Sequence, residues 1–385
     1  MRKPLRATLA IASTALMLNA TPIARAAEPI KIATIVELSG AGATSGTNFA
    51  NGVDLAVKEI NAAGGILGRP LESNAVDTQS NPGVAKGLVA KAVDDGVFAV
   101  FGPVFSGSIL VSMAETRRAE IPNFTGGEAA AITKQGNPYI FRTSFTQDTA
   151  MPKVARYIAQ QLKAKTLALI YVNNDFGKGG RESLTKALEP LGVKVVADIS
   201  TEQSQVDFSA AVLKTRQSNA DAVFVYTNEE EAARALRELR KQGVSQPIVG
   251  ETVLTSQKVI ELAGGAANGA VAHVGLTVDA PMPSVRAFRA RFEKQFKYTP
   301  DHNGIKGYTG VFIMKAAIEK VGQVDRKLVA QALHGLAISA AQQPGVLMDV
   351  RIDANGDLDR ESFLTEVRNG KQEVKEILPA LGAKQ

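Results

Sequence analysis

The sequence predicts an α/β fold with two doubly wound, Rossmann-like lobes, each built around a parallel sheet. Short apolar runs rich in β-branched residues alternate with amphipathic stretches of helical length, which is typical of strands covered by helices on both faces. The alternation runs through once and restarts near residue 147. A chain of 385 residues also exceeds what one ordinary hydrophobic core supports, which favours two lobes.

The first strand–helix array covers roughly the N-terminal third of the chain. Its opening strand, IKIATIV at 30–36, is apolar almost throughout, and a Gly/Ser/Thr loop separates it from an amphipathic helix at 49–60. Asn81-Pro82 begins the next helix, because Asn caps well and Pro fits the first helical position. Further strands are predicted at 71–76, 97–101 and 121–124, with a helix at 106–118.

The second array repeats this order after residue 147. Predicted helices cover 149–162, 208–217 and 229–241, and predicted strands cover 167–172, 193–199, 222–226 and 247–249. The rest is less regular, with strand candidates at 271–278, 346–352 and 362–368 and helices at 284–296 and 308–321. The segment Asp-Ala-Asn-Gly-Asp at 353–357 predicts a turn between two of these strands.

The first 26 residues predict a cleaved signal peptide and export to the periplasm. Arg2, Lys3 and Arg6 form a positive start, residues 7–18 are apolar, and residues 24–26 give the A-x-A pattern of a cleavage site. The apolar run is shorter than the roughly 20 residues that a bilayer span requires, so a retained anchor is disfavoured.

Charge and composition exclude several classes of partner and chemistry. Loss of the first 26 residues removes four basic and no acidic residues, which lowers the formal net charge from +6 to +2. No basic cluster of five or more residues follows, so nucleic acid is not an expected partner. The chain has no cysteine, which excludes disulfides and cysteine-ligated metals. We expect a monomer that needs no metal and no cofactor.

Enzyme signatures are weak. The loop Gly40-x-Gly42-x-x-x-Gly46 follows a strand and opens a helix, but its spacing differs from the dinucleotide motif G-x-G-x-x-G. None of the six tyrosines has a lysine four residues on, as short-chain dehydrogenases require, and a G-x-S-x-G elbow is absent. The three histidines stand far apart. The sequence therefore does not predict an enzyme.

Two acidic segments resemble metal sites but have simpler explanations. Asp353, Asn355 and Asp357 have the spacing of calcium-loop ligands, but Leu358 and Leu364 occupy the positions that need Gly and Glu. The acidic run at 229–231 begins a predicted helix, where negative charge complements the helix dipole.

Polar loops follow the predicted strands, where doubly wound sheets bind their ligands. These loops lie at 39–46, 105–108, 125–128, 173–176, 227–228 and 251–252. Ser106 stands at a predicted helix start, so it either caps that helix or offers its hydroxyl and backbone N–H groups to a ligand carboxylate. The residues alone leave both interpretations open.

Taken together, the segments after residue 26 resemble the leucine/isoleucine/valine-binding protein family, the periplasmic ABC-transporter receptors with the type I fold. The resemblance is carried by IKIATIVELSGAGATSG, NGVDLAVKEINAAGGILG, IPNFTGGEAAAIT, YIFRTSFTQD, LALIYVNNDFGKG and IDANGDL. It implies capture of a small molecule between the lobes for an inner-membrane ABC permease. It also implies a three-segment hinge, with 27–145 plus 278–358 in lobe one and 146–277 plus 359–385 in lobe two.

The resemblance further implies a ligand site. Ser106 matches the serine that holds a ligand carboxylate, and Gly126 matches a position whose backbone contacts the ligand. Glu128 replaces a threonine of the family's pocket, while Glu251, or Thr252 beside it, aligns near the acid that meets a ligand ammonium. The expected ligand-binding residues are Ser39, Ser45, Phe105, Ser106, Gly126, Gly127, Glu128, Phe176, Asn228 and Glu251.

Two ligand classes stay open at this point. Glu128 favours an amine-bearing ligand, because an unpaired charge in a closing cleft is costly, and this predicts a small, branched-chain-type amino acid. Ser45 and Asn228 stand where the family has aromatic side chains, and Phe176 replaces a tyrosine, which favours another small carboxylate, aromatic acids included. A sensory ligand-binding protein is the alternative to transport. In each case we expect the second lobe to close over a ligand held by the first.

Overall fold

The computed structural model describes residues 28–380, so the predicted signal peptide lies outside the described residues. The helices are α1 (Ala43–Ala62), α2 (Pro82–Asp94), α3 (Ser106–Arg118), α4 (Gln147–Arg156), α5 (Asp175–Leu188), α6 (Ser209–Gln217), α7 (Glu229–Lys241), α8 (Gln257–Ala263), α9 (Pro283–Phe296), α10 (His302–Val321) and α11 (Arg326–Leu333). A short π-helical turn, Tyr157–Gln161, extends α4. None of the helices within 28–380 has the length and apolarity of a membrane span.

The strands follow the same alternating order along the chain. They are β1 (Ile30–Val36), β2 (Leu71–Asp77), β3 (Ala99–Phe101), β4 (Asn123–Thr125), β5 (Ile140–Arg142), β6 (Thr166–Val172), β7 (Lys194–Thr201), β8 (Ala222–Tyr226), β9 (Ile248–Glu251), β10 (Val271–Val274), β11 (Ala337–Ile338), β12 (Val350–Ile352), β13 (Leu358–Asp359), β14 (Ser362–Arg368) and β15 (Lys371–Leu378).

Two large sheets organise the molecule and confirm the doubly wound α/β fold. The first has the order β2-β1-β3-β4-β5 and is parallel throughout. The second has the order β15-β14-β10-β9-β8-β6-β7 and is parallel from β10 to β7. We call the first sheet with α1–α3 and α9–α11 the first lobe, and the second sheet with α4–α8 the second lobe.

The second sheet departs from the expected parallel pattern at one edge. Strands β14 and β15 join it antiparallel, because the chain returns after the first lobe and folds back in a hairpin at Asn369-Gly370, where both residues have positive φ. The second sheet thus takes strands from 166–274 and from 362–378. The lobe limits predicted from the resemblance are compatible with this distribution, and their exact residues stay a prediction.

Helix α10 begins six residues earlier than the predicted helix at 308–321. Asp301 caps it by accepting hydrogen bonds from the backbone N–H groups of Asn303 and Gly304. Its glycines do not break the helix, because they let it lie directly against α1. A Cβ atom on Gly307 would come within 2.1 Å of the Phe49 carbonyl oxygen. The side chains of both helices also contribute to the largest hydrophobic core.

Candidate ligand-binding site

A cleft of about 140 Å³ lies between the two lobes. Its lining comes from the start of α10 and from the segments that follow β1–β4 in the first lobe and β6–β9 in the second. These are carboxyl ends of parallel strands, where doubly wound folds bind their ligands. A cavity of roughly 150 Å³ accommodates one benzene ring, so this cleft has room for one small molecule.

The N-terminus of α3 supplies hydrogen-bond donors to the first-lobe wall. The N-cap position is Phe105, which has no capping side chain, so the backbone N–H groups of Ser106, Gly107 and Ser108 lack acceptors within the helix. All three residues line the cleft. Such an end, with its positive helix dipole, binds anions well.

Glu37 holds the loop before α3 in place. Its side chain is fully buried and its carboxylate oxygens accept hydrogen bonds from the backbone N–H groups of Val104, at 3.1 Å, and Phe105, at 3.2 Å. Burial raises the pKa of Glu37, while these backbone donors oppose that rise. The buried carboxyl therefore fixes the direction in which α3 presents its free N–H groups.

Ser106 is not the cap of α3, which settles the first of its two predicted roles. It is the first helical residue, is buried, and its hydroxyl oxygen accepts a hydrogen bond of 3.2 Å from the Ala129 N–H. The hydroxyl hydrogen remains available to a ligand in the cleft. Its predicted contact with a ligand carboxylate stays a prediction.

A buried arginine positions the loop that carries Gly126, Gly127 and Glu128. The Arg142 guanidinium donates to the carbonyl oxygens of Gly127, at 2.5 Å, and Ala129, at 3.1 Å. It also forms an ion pair with Asp357 at 2.7 Å. The turn predicted at 353–357 is present. Its last residue, Asp357, accepts a hydrogen bond from Arg142 and so has a structural role.

Beneath that loop lies a buried cluster of acids and one lysine. The Lys306 ammonium of α10 donates to the Glu128 carboxylate at 3.0 Å and to the Gly126 carbonyl oxygen at 3.3 Å. The pKa of Glu128 is raised to about 7: burial is the main cause, nearby Glu251 adds to the rise, and Lys306 opposes it. Burial likewise raises the pKa of Glu251.

The second lobe contributes an aromatic surface and a polar helix start. Phe176 stacks on Tyr226, with ring centroids 4.1 Å apart, and lines the cleft. The Tyr226 hydroxyl reaches across to the Glu128 carboxylate at 3.4 Å. Asn228 caps α7, and its backbone N–H and side-chain amide both donate to Glu231 at 3.0 Å.

Glu229 joins the two lobes. Its buried carboxyl accepts a hydrogen bond of 2.7 Å from the Ser45 hydroxyl of the first lobe, and beside it Thr44 donates to Glu230 at 3.3 Å. The cleft is therefore closed in this structure. The explanation of the acidic run by the helix dipole alone was incomplete, because one of its members lines the cleft and another completes the cap of α7.

Eight of the ten expected residues line this cleft: Ser45, Phe105, Ser106, Gly126, Gly127, Glu128, Phe176 and Asn228. The other two, Ser39 and Glu251, do not line it. Ser39 is exposed and its hydroxyl donates to Asp77 at 2.6 Å, since the end of β2 lies beside it. Glu251 is buried below the cleft wall, where it contacts Thr252 at 2.6 Å and His273 at 3.1 Å.

Several lining residues were not predicted, chief among them Lys306, Glu229 and Asn303. A lysine within a helical stretch ordinarily indicates a solvated face, and an acidic helix start ordinarily indicates the dipole. The one available signal was the apolar, glycine-rich surrounding of Lys306 in the sequence GIKGYTGVFIM, which marks a buried helix.

Comparison with known proteins decides the family. A family model described as periplasmic binding protein matches residues 29–372. The chain belongs to the periplasmic binding protein family. This membership confirms the resemblance drawn from the sequence and carries the implication of a periplasmic location.

Relatives and solved structures agree with this assignment. The binding protein is 28% identical to a leucine-, isoleucine-, valine-, threonine- and alanine-binding protein of Pseudomonas aeruginosa, over 88% of this chain and 89% of that one. It is also 28% identical to a Leu/Ile/Val-binding protein of Rhizobium johnstonii, over 94% and 95% of the two chains.

Among solved structures, an isoleucine complex of a branched-chain amino acid transporter substrate-binding protein from Streptococcus pneumoniae superposes with a TM-score of 0.82. It is 25% identical, and the match covers 91% of this chain and 99% of that one. A benzoate complex of an ABC-transporter solute-binding protein from R. palustris gives 0.84 at 22% identity, over 92% and 98%. By name, both solved structures are thus substrate- or solute-binding proteins of transporters, and both relatives are amino-acid-binding proteins.

Proposed function

We propose that this chain captures a small carboxylate in the inter-lobe cleft and presents it to an inner-membrane ABC permease. The observation that carries the proposal is the N-terminus of α3, which directs the uncapped N–H groups of residues 106–108 into a closed cleft. Unpaired backbone donors at a helix N-terminus bind an anionic oxygen well, because the helix dipole adds to their hydrogen bonds.

The cleft supports a ligand with one charged end and one apolar end. Phe105, Val104 and Phe176 add apolar surface next to the α3 donors. The volume of about 140 Å³ fits a molecule of the size of a small amino acid or a benzoate. The names of the relatives support the predicted branched-chain-type amino acid, and the benzoate complex supports the alternative of an aromatic acid on the same fold.

Isothermal titration with a panel of amino acids, benzoates and short aliphatic carboxylates tests the proposal. We expect at least one carboxylate to bind, and its primary amide to bind more weakly by about tenfold or more, because the amide lacks the charge that the α3 donors stabilise. Amides that bind as tightly as their acids would contradict the carboxylate anchor.

Transport and export need separate tests. Loss of ligand uptake after deletion of the gene, with recovery on re-expression, would support a transport role, whereas unchanged uptake together with a lost transcriptional response would favour the sensory alternative. N-terminal sequencing of the periplasmic protein should begin at Ala27 if the predicted signal peptide is removed after Ala26.

A further inference from the structure

Lys306 places a positive charge inside the cleft. Of the described residues that line the cleft, it is the one with a lysine or arginine side chain. That side chain is only 4% exposed, and the Glu128 side chain with which it pairs is 9% exposed. A backbone carbonyl and a carboxylate, at 3.3 and 3.0 Å, already accept hydrogen bonds from its ammonium.

Close packing against α1 fixes the backbone of α10 at Lys306. Helix α10 lies against α1 so closely that a Cβ atom on Gly52 would come within 2.1 Å of the Gly304 carbonyl oxygen. Gly307, next to Lys306 in the chain, meets the Phe49 carbonyl oxygen at the same distance. The ammonium therefore extends from a rigid base, and a ligand cannot push it aside by moving the helix.

Each buried carboxyl of the cleft already has a partner within the protein. Burial is the main cause that raises the pKa of both Glu128 and Glu251, and Lys306 opposes the rise at each of them; its ammonium also donates directly to Glu128 at 3.0 Å. Glu229, the other buried carboxyl of the lining, already accepts the Ser45 hydroxyl, and burial raises its pKa to about 7.

We infer that Lys306 is a specificity-determining residue that selects small monocarboxylates without an ammonium group and rejects α-amino acids. This inference rests on the proposed function, and it names the class of carboxylate. The ligand's carboxylate binds at the α3 N-terminus, and the position that an α-ammonium needs is filled by the protein itself. An amino acid would have to place a second ammonium beside Lys306, and two like charges at short distance in a closed cleft repel each other.

Matched pairs of ligands test the inference on the unaltered protein. L-Leucine and 4-methylpentanoate differ by the ammonium group, as do L-phenylglycine and phenylacetate, and benzoate extends the panel. We expect the tightest ligand to lack an ammonium and to bind at least about tenfold more tightly than the amino acid of its pair. An amino acid that binds more tightly than its des-amino partner would overturn the inference while leaving the carboxylate anchor intact. A panel without any binder would overturn the proposed function as well.

Substitution of the lysine gives a second test. Lys306→Met removes the ammonium that donates to the Glu128 carboxylate and the Gly126 carbonyl oxygen. A ligand ammonium could then take its place, so we expect the preference for the des-amino ligand to fall by about tenfold or more. Lys315→Met is the matched control, because Lys315 lies on the same helix and pairs with Glu319 at 2.6 Å away from the cleft lining. A Lys306→Met protein with a native thermal transition and an unchanged preference would refute the assignment, and the ligand pairs still decide it if that variant does not fold.

Discussion

Closure of the cleft should take up a proton at Glu229. In the closed structure burial is the main cause that raises the pKa of this carboxyl from 4.5 to about 7, the charge of Asp301 adds to the rise, and the hydrogen bond from Ser45 opposes it. If opening the lobes returns Glu229 to water, its pKa should fall back toward 4.5. Ligand binding then couples to protonation of this group between those two values.

The size of the effect follows from the two pKa values. A carboxyl whose pKa is raised on closure disfavours the closed state when it is ionised, so the penalty is absent below pH 4.5 and complete above about pH 7. The full penalty is about 3 kcal/mol, or on the order of 100-fold in Kd. Ligand affinity should therefore weaken as the pH rises from 5 to 8, and Glu229→Gln should bind at pH 8 more tightly than the unaltered protein.

Titration calorimetry in buffers of different ionisation enthalpy measures this proton directly. At pH 6 the tightest ligand of the panel should bind with the uptake of about 0.9 proton by Glu229, since the group is mostly ionised in the open form and mostly protonated in the closed one. Glu229→Gln should abolish the proton uptake that is due to Glu229. Glu230→Gln removes the neighbouring bond to Thr44 and only the smallest of the effects that raise the pKa of Glu229, so this control should keep most of the uptake. Equal uptake by Glu229→Gln and the unaltered protein would refute the argument.

Three further substitutions test the site and its supports. Ser106→Ala should weaken carboxylate binding by about 1–3 kcal/mol in titration calorimetry if the Ser106 hydroxyl donates to a ligand oxygen. Unchanged affinity would mean that this hydroxyl only accepts the hydrogen bond from the Ala129 N–H. Asp357→Ala should cost about 3 kcal/mol in urea unfolding, because it leaves the fully buried Arg142 without its counter-charge; a loss below about 1 kcal/mol would contradict this. Arg360→Met should raise the free energy of unfolding by about 1 kcal/mol or more, because this guanidinium is buried without a hydrogen-bond partner among the described residues, and burial lowers its pKa to about 9.

Local patterns were sufficient for most individual elements. Strand β8, helix α7 and strand β14 have the same first and last residues that the sequence predicts, because each combines a clear apolar period with a cap or a turn at its ends. Helix α10 was predicted too short at its start. Glycine ordinarily weakens helices, and only the contact with α1 shows why glycines are needed there.

The sequence predicted the site residues that have a local signal or a match in the resembling family, and missed the others. Phe105, Ser106 and Gly126 follow strands, so their position at a sheet edge could be inferred. The partners that change the chemistry come from distant parts of the chain: Lys306 meets Glu128 across 178 positions. Pairs at such separations leave no mark in a single sequence, because each member alone has the composition of an ordinary helix or loop.

The close contact between α1 and α10 also bears on how the cargo of such a receptor changes over evolutionary time. The backbones of α1 and α10 are in direct contact at Gly52 and Gly307. The segment of α10 that carries Lys306 therefore cannot tolerate insertions or shifts as a surface loop does. In a lineage that acquires a different nutrient, we therefore expect position 306 and its partner Glu128 to change together while α1 and α10 stay in place. A protein with only one of the two changes would keep an unpaired buried charge and would bind either ligand poorly.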